Sequence, residues 1–230
     1  PDALALVPQR VWNNMTQYLL AAIPLFIFMA SMLEKSGVIE EVFDVAYKWL
    51  GRIPGGLAVA TVVASTVLAA MVGVIGAAVV TMALVALPSM LRRGYSPVLA
   101  VGTVMAGGTL GILIPPSVLA IVYGLVANQS VGELYLGSVF PGLVLSGLYI
   151  LFSVGYALLN PKAAPRLSPE ETPTWSERWR ALRSIWSPLV LIFLVLGTIF
   201  LGLAAPTEAA AIGAFGAMVV AAIHRRLSWT

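Results

Sequence analysis

Cysteine is absent from the 230 residues, which excludes disulfides, thiolate metal sites and cysteine nucleophiles. There is one histidine, so neither a histidine metal cluster nor a Ser–His relay with a second imidazole can be assembled. Charged residues are scarce, at 10% of the chain, while 60% of it is hydrophobic and the mean hydropathy is +0.95. A soluble domain does not have that composition, and the chain is expected to be an all-α, polytopic integral membrane protein in contact with the lipid bilayer. The net charge of +3 arises from Lys and Arg in connecting segments, not from a basic stripe with interleaved aromatics, so nucleic acid is not an expected partner.

Apolar runs lie at Tyr18–Leu33, Leu57–Leu91, Val98–Val126, Leu134–Leu159, Ile185–Leu203 and Ala209–Ile223. The second is long enough for two helices, which Gly73 and Gly76 divide into a hairpin. If all Lys and Arg except Arg10 face the cytoplasm, the hairpin leaves and returns on one side, Val98–Val126 crosses once, and Leu134–Leu159 comes back. Both a fully crossing and a re-entrant hairpin satisfy this charge map. Gly37–Leu50 is amphipathic and reads either as an interfacial helix linking two membrane bodies or as a short solvated helix on a cytoplasmic loop. Asn160–Ser184 is the polar linker, with Trp175, Trp179 and Trp186 as headgroup anchors.

Within the apolar chain, residues 107–117 read GGTLGILIPPS, with Gly107, Gly108, Thr109, Gly111, Pro115, Pro116 and Ser117. Glycine weakens helix and proline removes an N–H, so this stretch predicts a helix broken at membrane depth. Non-helical backbone survives there only when buried in protein or lining a cavity, where it can serve ions and substrates. If the Gly73–Val74–Gly76 tip meets this break, helix N-termini face an anion while C-terminal carbonyls hold a hard cation such as Na⁺. Thr109 and Ser117 add hydroxyls there, with Thr81 and Thr103 a turn or more away. The alternative is that the glycines serve helix packing and the prolines only kink. Thr207 is expected to cap the last helix, with Glu208 in its first turn. His224 beside Arg225 and Arg226 reads as a headgroup or capping residue. Paired acids or a nucleophile with its base are missing at depth, so an enzyme is not expected. A non-transporting membrane scaffold remains a competitor.

The segments PGGLAVATVVAS, ALPSMLRRGYSPVLAVGTVMAGGTLGILIPPS, YLGSVFPG, PLFIFMASMLEKSG and APTEAAAIGAFGA occur in the order that resembles the large membrane (DctM-like) subunit of TRAP, the tripartite ATP-independent periplasmic transporters. The resemblance implies a multi-pass permease of the bacterial inner membrane and secondary active transport by sodium symport, with uptake of small organic anions by an elevator mechanism. It also implies a small four-helix membrane subunit and a periplasmic substrate-binding protein as partners, and no cofactor beyond Na⁺ as coupling ion. A single-subunit ion-coupled anion transporter of similar hairpin architecture is the runner-up.

Its sodium site would lie near Gly73, Val74, Gly76, Gly108, Thr109, Gly111, Pro115 and Ser117. The tip departs from relatives that carry serine in this loop, which leaves backbone carbonyls as ligands. The implied division is a scaffold helix with an amphipathic connecting helix (1–53), a transport-domain hairpin and broken helix (54–132), a transmembrane helix (133–159), a cytoplasmic linker (160–184) and two helices beginning a second repeat (185–230). Pro1 and Thr230 read as cut ends, the expected second repeat is missing, and this piece is not expected to transport alone.

Overall fold

A computed structural model of the chain describes residues 2–166 and 173–224, with the backbone course only for residues 2–6, 10 and 14. The described residues form eleven α-helices and no strand. The Arg10 side chain, residues 167–172 of the linker, Arg225, Arg226 and the chain ends at Pro1 and Thr230 lie outside what is described.

Helix α1 (Asp2–Met15) is followed by a 3-10 turn at Tyr18–Ala21 and by α2 (Ala22–Lys35). Gly37, in the left-handed region at φ +77°, turns the chain into α3 (Val38–Leu50). The helices α4 (Gly56–Val72) and α5 (Ile75–Arg92) are the hairpin arms, close to the expected lengths. Helices α6 (Pro97–Leu113) and α7 (Val118–Ala127) are the two halves of the broken span, and α8 (Val131–Leu159) is a single return helix of 29 residues. A short α9 (Trp175–Ser184) meets α10 (Trp186–Phe200) at a 49° bend, and α11 (Pro206–Ile223) completes the chain. Among the described residues five spans are long and apolar enough to cross a membrane, six when α9 and α10 count as one.

Two packed groups emerge. In one, α11 runs beside α2 and α10. Close approach is possible because Gly213 presents no side chain: a Cβ there would stand 2.6 Å from Met29 Sδ, and Gly216 faces Leu191 in the same way. The Thr207 hydroxyl donates to the Tyr18 carbonyl at 3.5 Å, which brings the starts of α11 and α2 together. The other group comprises α4 to α8, with α6 wedged between α4, α5 and α8.

At 1.5 Å per residue α5 and α6 are each about 26 Å long. The hairpin tip ends level with the α6–α7 break, where the Val118 N–H meets the Gly73 carbonyl. Both the crossing and the re-entrant alternative fit arms of this length, since α5 is itself long and apolar enough to span.

Helix α3 has its apolar face, including Val38, Ile39, Val42, Phe43, Val45 and Ala46, buried against protein, chiefly α4. Trp49 near its end receives the edges of Trp175 and Trp179 of α9 at 6.1 and 5.9 Å. Two of the three expected headgroup anchors therefore touch α3, and all three remain more than half exposed. Glu40 and Asp44 face outward. This helix is a connector packed on the hairpin group, and its apolar stripe is covered by protein instead of lipid.

Candidate functional site

Four helix ends converge. Gly73 closes α4 in the left-handed conformation at φ +64°, and Val74 turns the chain extended before α5 begins. Helix α6 ends at Leu113, the Pro115–Pro116 bond is cis, and Ser117 opens α7. The tip and the break are joined directly, since the Val118 N–H donates to the Gly73 carbonyl at 3.3 Å. A Cβ on Gly73 would run into the Pro116 carbonyl oxygen, so glycine is required there by both conformation and space.

The two prolines act through the hydrogen bonds they remove. In a continuing helix, residues 115 and 116 would donate to the carbonyls of Gly111 and Ile112, and proline has no N–H to give. The last α6 carbonyls therefore face the tip without helical donors, and Gly111 lies nearest, its ideal Cβ position 3.7 Å from the Val74 carbonyl oxygen. On the opposite polarity, α5 and α7 begin at the same junction, where the Val118 and Ala120 N–H groups donate to the Gly73 carbonyl and the Ser117 hydroxyl. The arrangement can hold a cation by carbonyls and an anion by N–H groups side by side. Among the described residues no group of three or more His, Cys, Asp or Glu could hold a metal ion.

Several expected residues do other work. Gly107 and Gly108 do not break the helix: both lie inside α6, where a Cβ on Gly107 would stand 2.5 Å from Ser65 Oγ and one on Gly108 would overlap Val79. They are packing glycines, and the break is confined to residues 114–117. Thr109 is exposed on the other side of α6, donating to the Ala106 carbonyl at 2.7 Å and meeting the Tyr149 hydroxyl at 3.3 Å, because a helical position two before Gly111 points roughly opposite to it. Gly76 is one residue inside α5 with nothing near its Cβ position, so the turn consists of Gly73 and Val74. Thr103 bonds its own helix at the Leu99 carbonyl, and Thr81 donates to Glu34. Ser117 is buried at the break, where its hydroxyl accepts from the Ala120 N–H at 3.4 Å and caps α7.

The Thr207 cap is also corrected. The helix starts two residues earlier, with Ala205 at the cap and Pro206 in the first position, and the Glu208 carboxylate accepts from the Ala205 N–H at 2.9 Å. Glu208 is the capping side chain, and Thr207 is buried toward Tyr18. His224 caps the end of α11. Its Nδ1 lies 2.9 Å from the Val220 carbonyl and its Nε2 3.4 Å from Glu41 of α3.

Tyr135 was missed by sequence reasoning. It is fully buried in α8 and its hydroxyl donates to the Ser117 carbonyl at 3.2 Å. Two turns further, Gly142 lets α8 approach the break, since a Cβ there would stand 2.9 Å from Ile114 Cγ1. The available signal was a tyrosine on the helix after a proline-broken one, since a buried tyrosine hydroxyl needs an acceptor and the break supplies backbone carbonyls.

Residues 2–230 match the family described as the tripartite ATP-independent periplasmic transporter, DctM component. The chain is 37% identical over 220 residues to the C4-dicarboxylate TRAP transporter large permease protein DctM of Vibrio cholerae, covering 95% of this chain and 48% of that protein. It is 32% identical over 192 residues to the ectoine TRAP transporter large permease protein TeaC of Halomonas elongata, covering 84% and 44%. To the isethionate TRAP transporter permease protein DctMQ of Oleidesulfovibrio alaskensis it is 31% identical over 227 residues, covering 96% and 34%. The chain thus spans about half the length, or less, of these curated relatives. A family match over nearly every residue, together with a polytopic helical fold, identifies the chain as part of a large permease of the DctM family, a multi-pass protein of the inner membrane.

Proposed function

We propose that this chain supplies one half of a sodium-coupled importer for small organic solutes with an anionic group, and that Na⁺ sits between the Gly73–Val74 tip and the 114–117 break. The observation that carries this reading is the direct junction of tip and break through Val118 N–H and the Gly73 carbonyl, which sets carbonyl-bearing and N–H-bearing helix ends side by side. Gly111, Pro115, Pro116 and Ser117 shape the site, with Gly107 and Gly108 packing the helix that carries it. The names of the relatives refer to C4-dicarboxylates, ectoine and isethionate, each of which has a carboxylate or sulfonate suited to helix N-termini. An elevator-like displacement of α4–α8 against α2, α10 and α11 is the motion this grouping favours. A small membrane subunit and a periplasmic binding protein complete the assembly.

The test is uptake by the full-length permease with both partners in proteoliposomes. We expect accumulation of the anion driven by a Na⁺ gradient and little with K⁺ or choline, and Gly111→Val to raise the sodium requirement by crowding the carbonyls. Equal uptake in choline overturns the sodium reading. Uptake that needs neither partner favours a single-subunit carrier.

A further inference from the structure

Glu34 lies in the last turn of α2, within an apolar span, where the negative end of the helix dipole disfavours an acidic side chain. Its Oε1 accepts a hydrogen bond from the Thr81 hydroxyl at 2.8 Å. Thr81 is nearly buried in α5, six positions into the hairpin arm that begins at the tip. The direction of this bond is unusual for the chain. Thr61, Thr66 and Thr103 all donate to a carbonyl one turn back in their own helices, whereas Thr81 donates to an acid on another helix. The bond also joins the two packed groups, for α2 belongs with α10 and α11 while α5 belongs with the hairpin and broken helix. Thr81 is about 9 Å along the arm from the tip, close enough for its position to be transmitted through a rigid helix.

We infer that Glu34 is a positioning residue: through Thr81 it pins the α5 arm to the end of α2 and sets where the Gly73–Val74 tip stands in this arrangement of the two groups. This rests on the transport reading for its consequence, because an importer that displaces the hairpin must release the pin in each cycle. A bond to a single hydroxyl is one that motion can break.

The experiment uses the full-length permease with its partners and compares Glu34→Ala, Glu34→Gln, Thr81→Val, Thr81→Ser and the Glu34→Ala/Thr81→Val double variant. Two readouts are taken: hydrogen exchange of residues 75–85, and the maximal rate and KM of uptake. Glu34→Ala and Thr81→Val are expected to raise exchange in 75–85 about fivefold while leaving 206–223 unchanged, and to change the maximal rate with KM within about twofold. The double variant should match the single ones, because both remove one bond. Glu34→Gln and Thr81→Ser keep an acceptor and a donor and should restore the wild-type values. Additive effects, or a Glu34→Gln variant that behaves as Glu34→Ala and shifts the sodium dependence, overturn the inference, since the carboxylate charge and not its position would then be at issue. The exchange readout needs no uptake, so loss of the pin and failure of the transport reading are separate results.

Discussion

Two glycines three residues apart make opposite demands. Gly73 has φ +64° and meets the Pro116 carbonyl, so Gly73→Ala meets both backbone strain and a collision. The expected cost is about 2 kcal/mol or more in reversible unfolding of the full permease. Gly76 lies in α5 with open space around it, so Gly76→Ala should be neutral or stabilise by up to about 1 kcal/mol. The same measurement on both separates the turn residue from a helical bystander. Tyr135→Phe removes the hydroxyl donor from the Ser117 carbonyl, which keeps the Ile121 N–H at 3.3 Å, and is expected to cost about 0.5 to 1.5 kcal/mol, read as a lower midpoint without loss of helix content. Sequence reading placed Gly73, Pro115, Pro116 and Ser117 at the junction. It could not tell Gly76 from Gly73, or place Thr109, because those depend on helical phase and on which backbone approaches which.

At the scale of elements, both hairpin arms and both halves of the broken span were legible, because an apolar run near bilayer length and a helix-breaking pair have local causes. The extent of the break was not. Gly107 and Gly108 read as helix breakers in isolation, yet helix partners on α4 and α5 demand small residues there, and packing outweighs a propensity difference of about 1 kcal/mol. Helix α9 yields a prediction of its own. Thr174 and Glu177 form a reciprocal cap, with the Thr174 N–H donating to the Glu177 carboxylate at 2.7 Å and the Glu177 N–H donating to the Thr174 hydroxyl at 3.3 Å. Hydrogen bonds from the Thr174 backbone and hydroxyl hold the Glu177 carboxyl below its usual range. A depressed folded pKa stabilises above the unfolded value and is lost as pH falls through the folded one. Acidification below the usual carboxylate range should therefore raise hydrogen exchange in residues 175–184 first, and Glu177→Gln should remove most of that pH dependence.

The described residues form two groups of helices that meet through α3, through the packing of α2 on α4 and through the Glu34–Thr81 bond, a division that composition could not reveal because both groups are equally apolar. Pairings such as Glu41 with His224 and Trp49 with the linker tryptophans depend on which connector folds back on which helix, information spread over nearly the full length of the chain. This division sets how mutational effects combine. Gly213→Leu strikes the α2–α11 contact, where Met29 fills the space, and Gly73→Ala strikes the tip in the other group. With no shared partner, their unfolding costs should add within about 0.5 kcal/mol. Gly73→Ala and Tyr135→Phe act on one short strand instead, the first at the Pro116 carbonyl and the second at the Ser117 carbonyl. Once either change has displaced that strand, the other removes less, so their combined cost should fall short of the sum by about 0.5 kcal/mol or more. Double-variant cycles on the full permease decide it: equal additivity in both pairs would mean that tip and break are not one coupled junction, and non-additivity in both would mean that displacement at one helix group is passed to the other through their contacts.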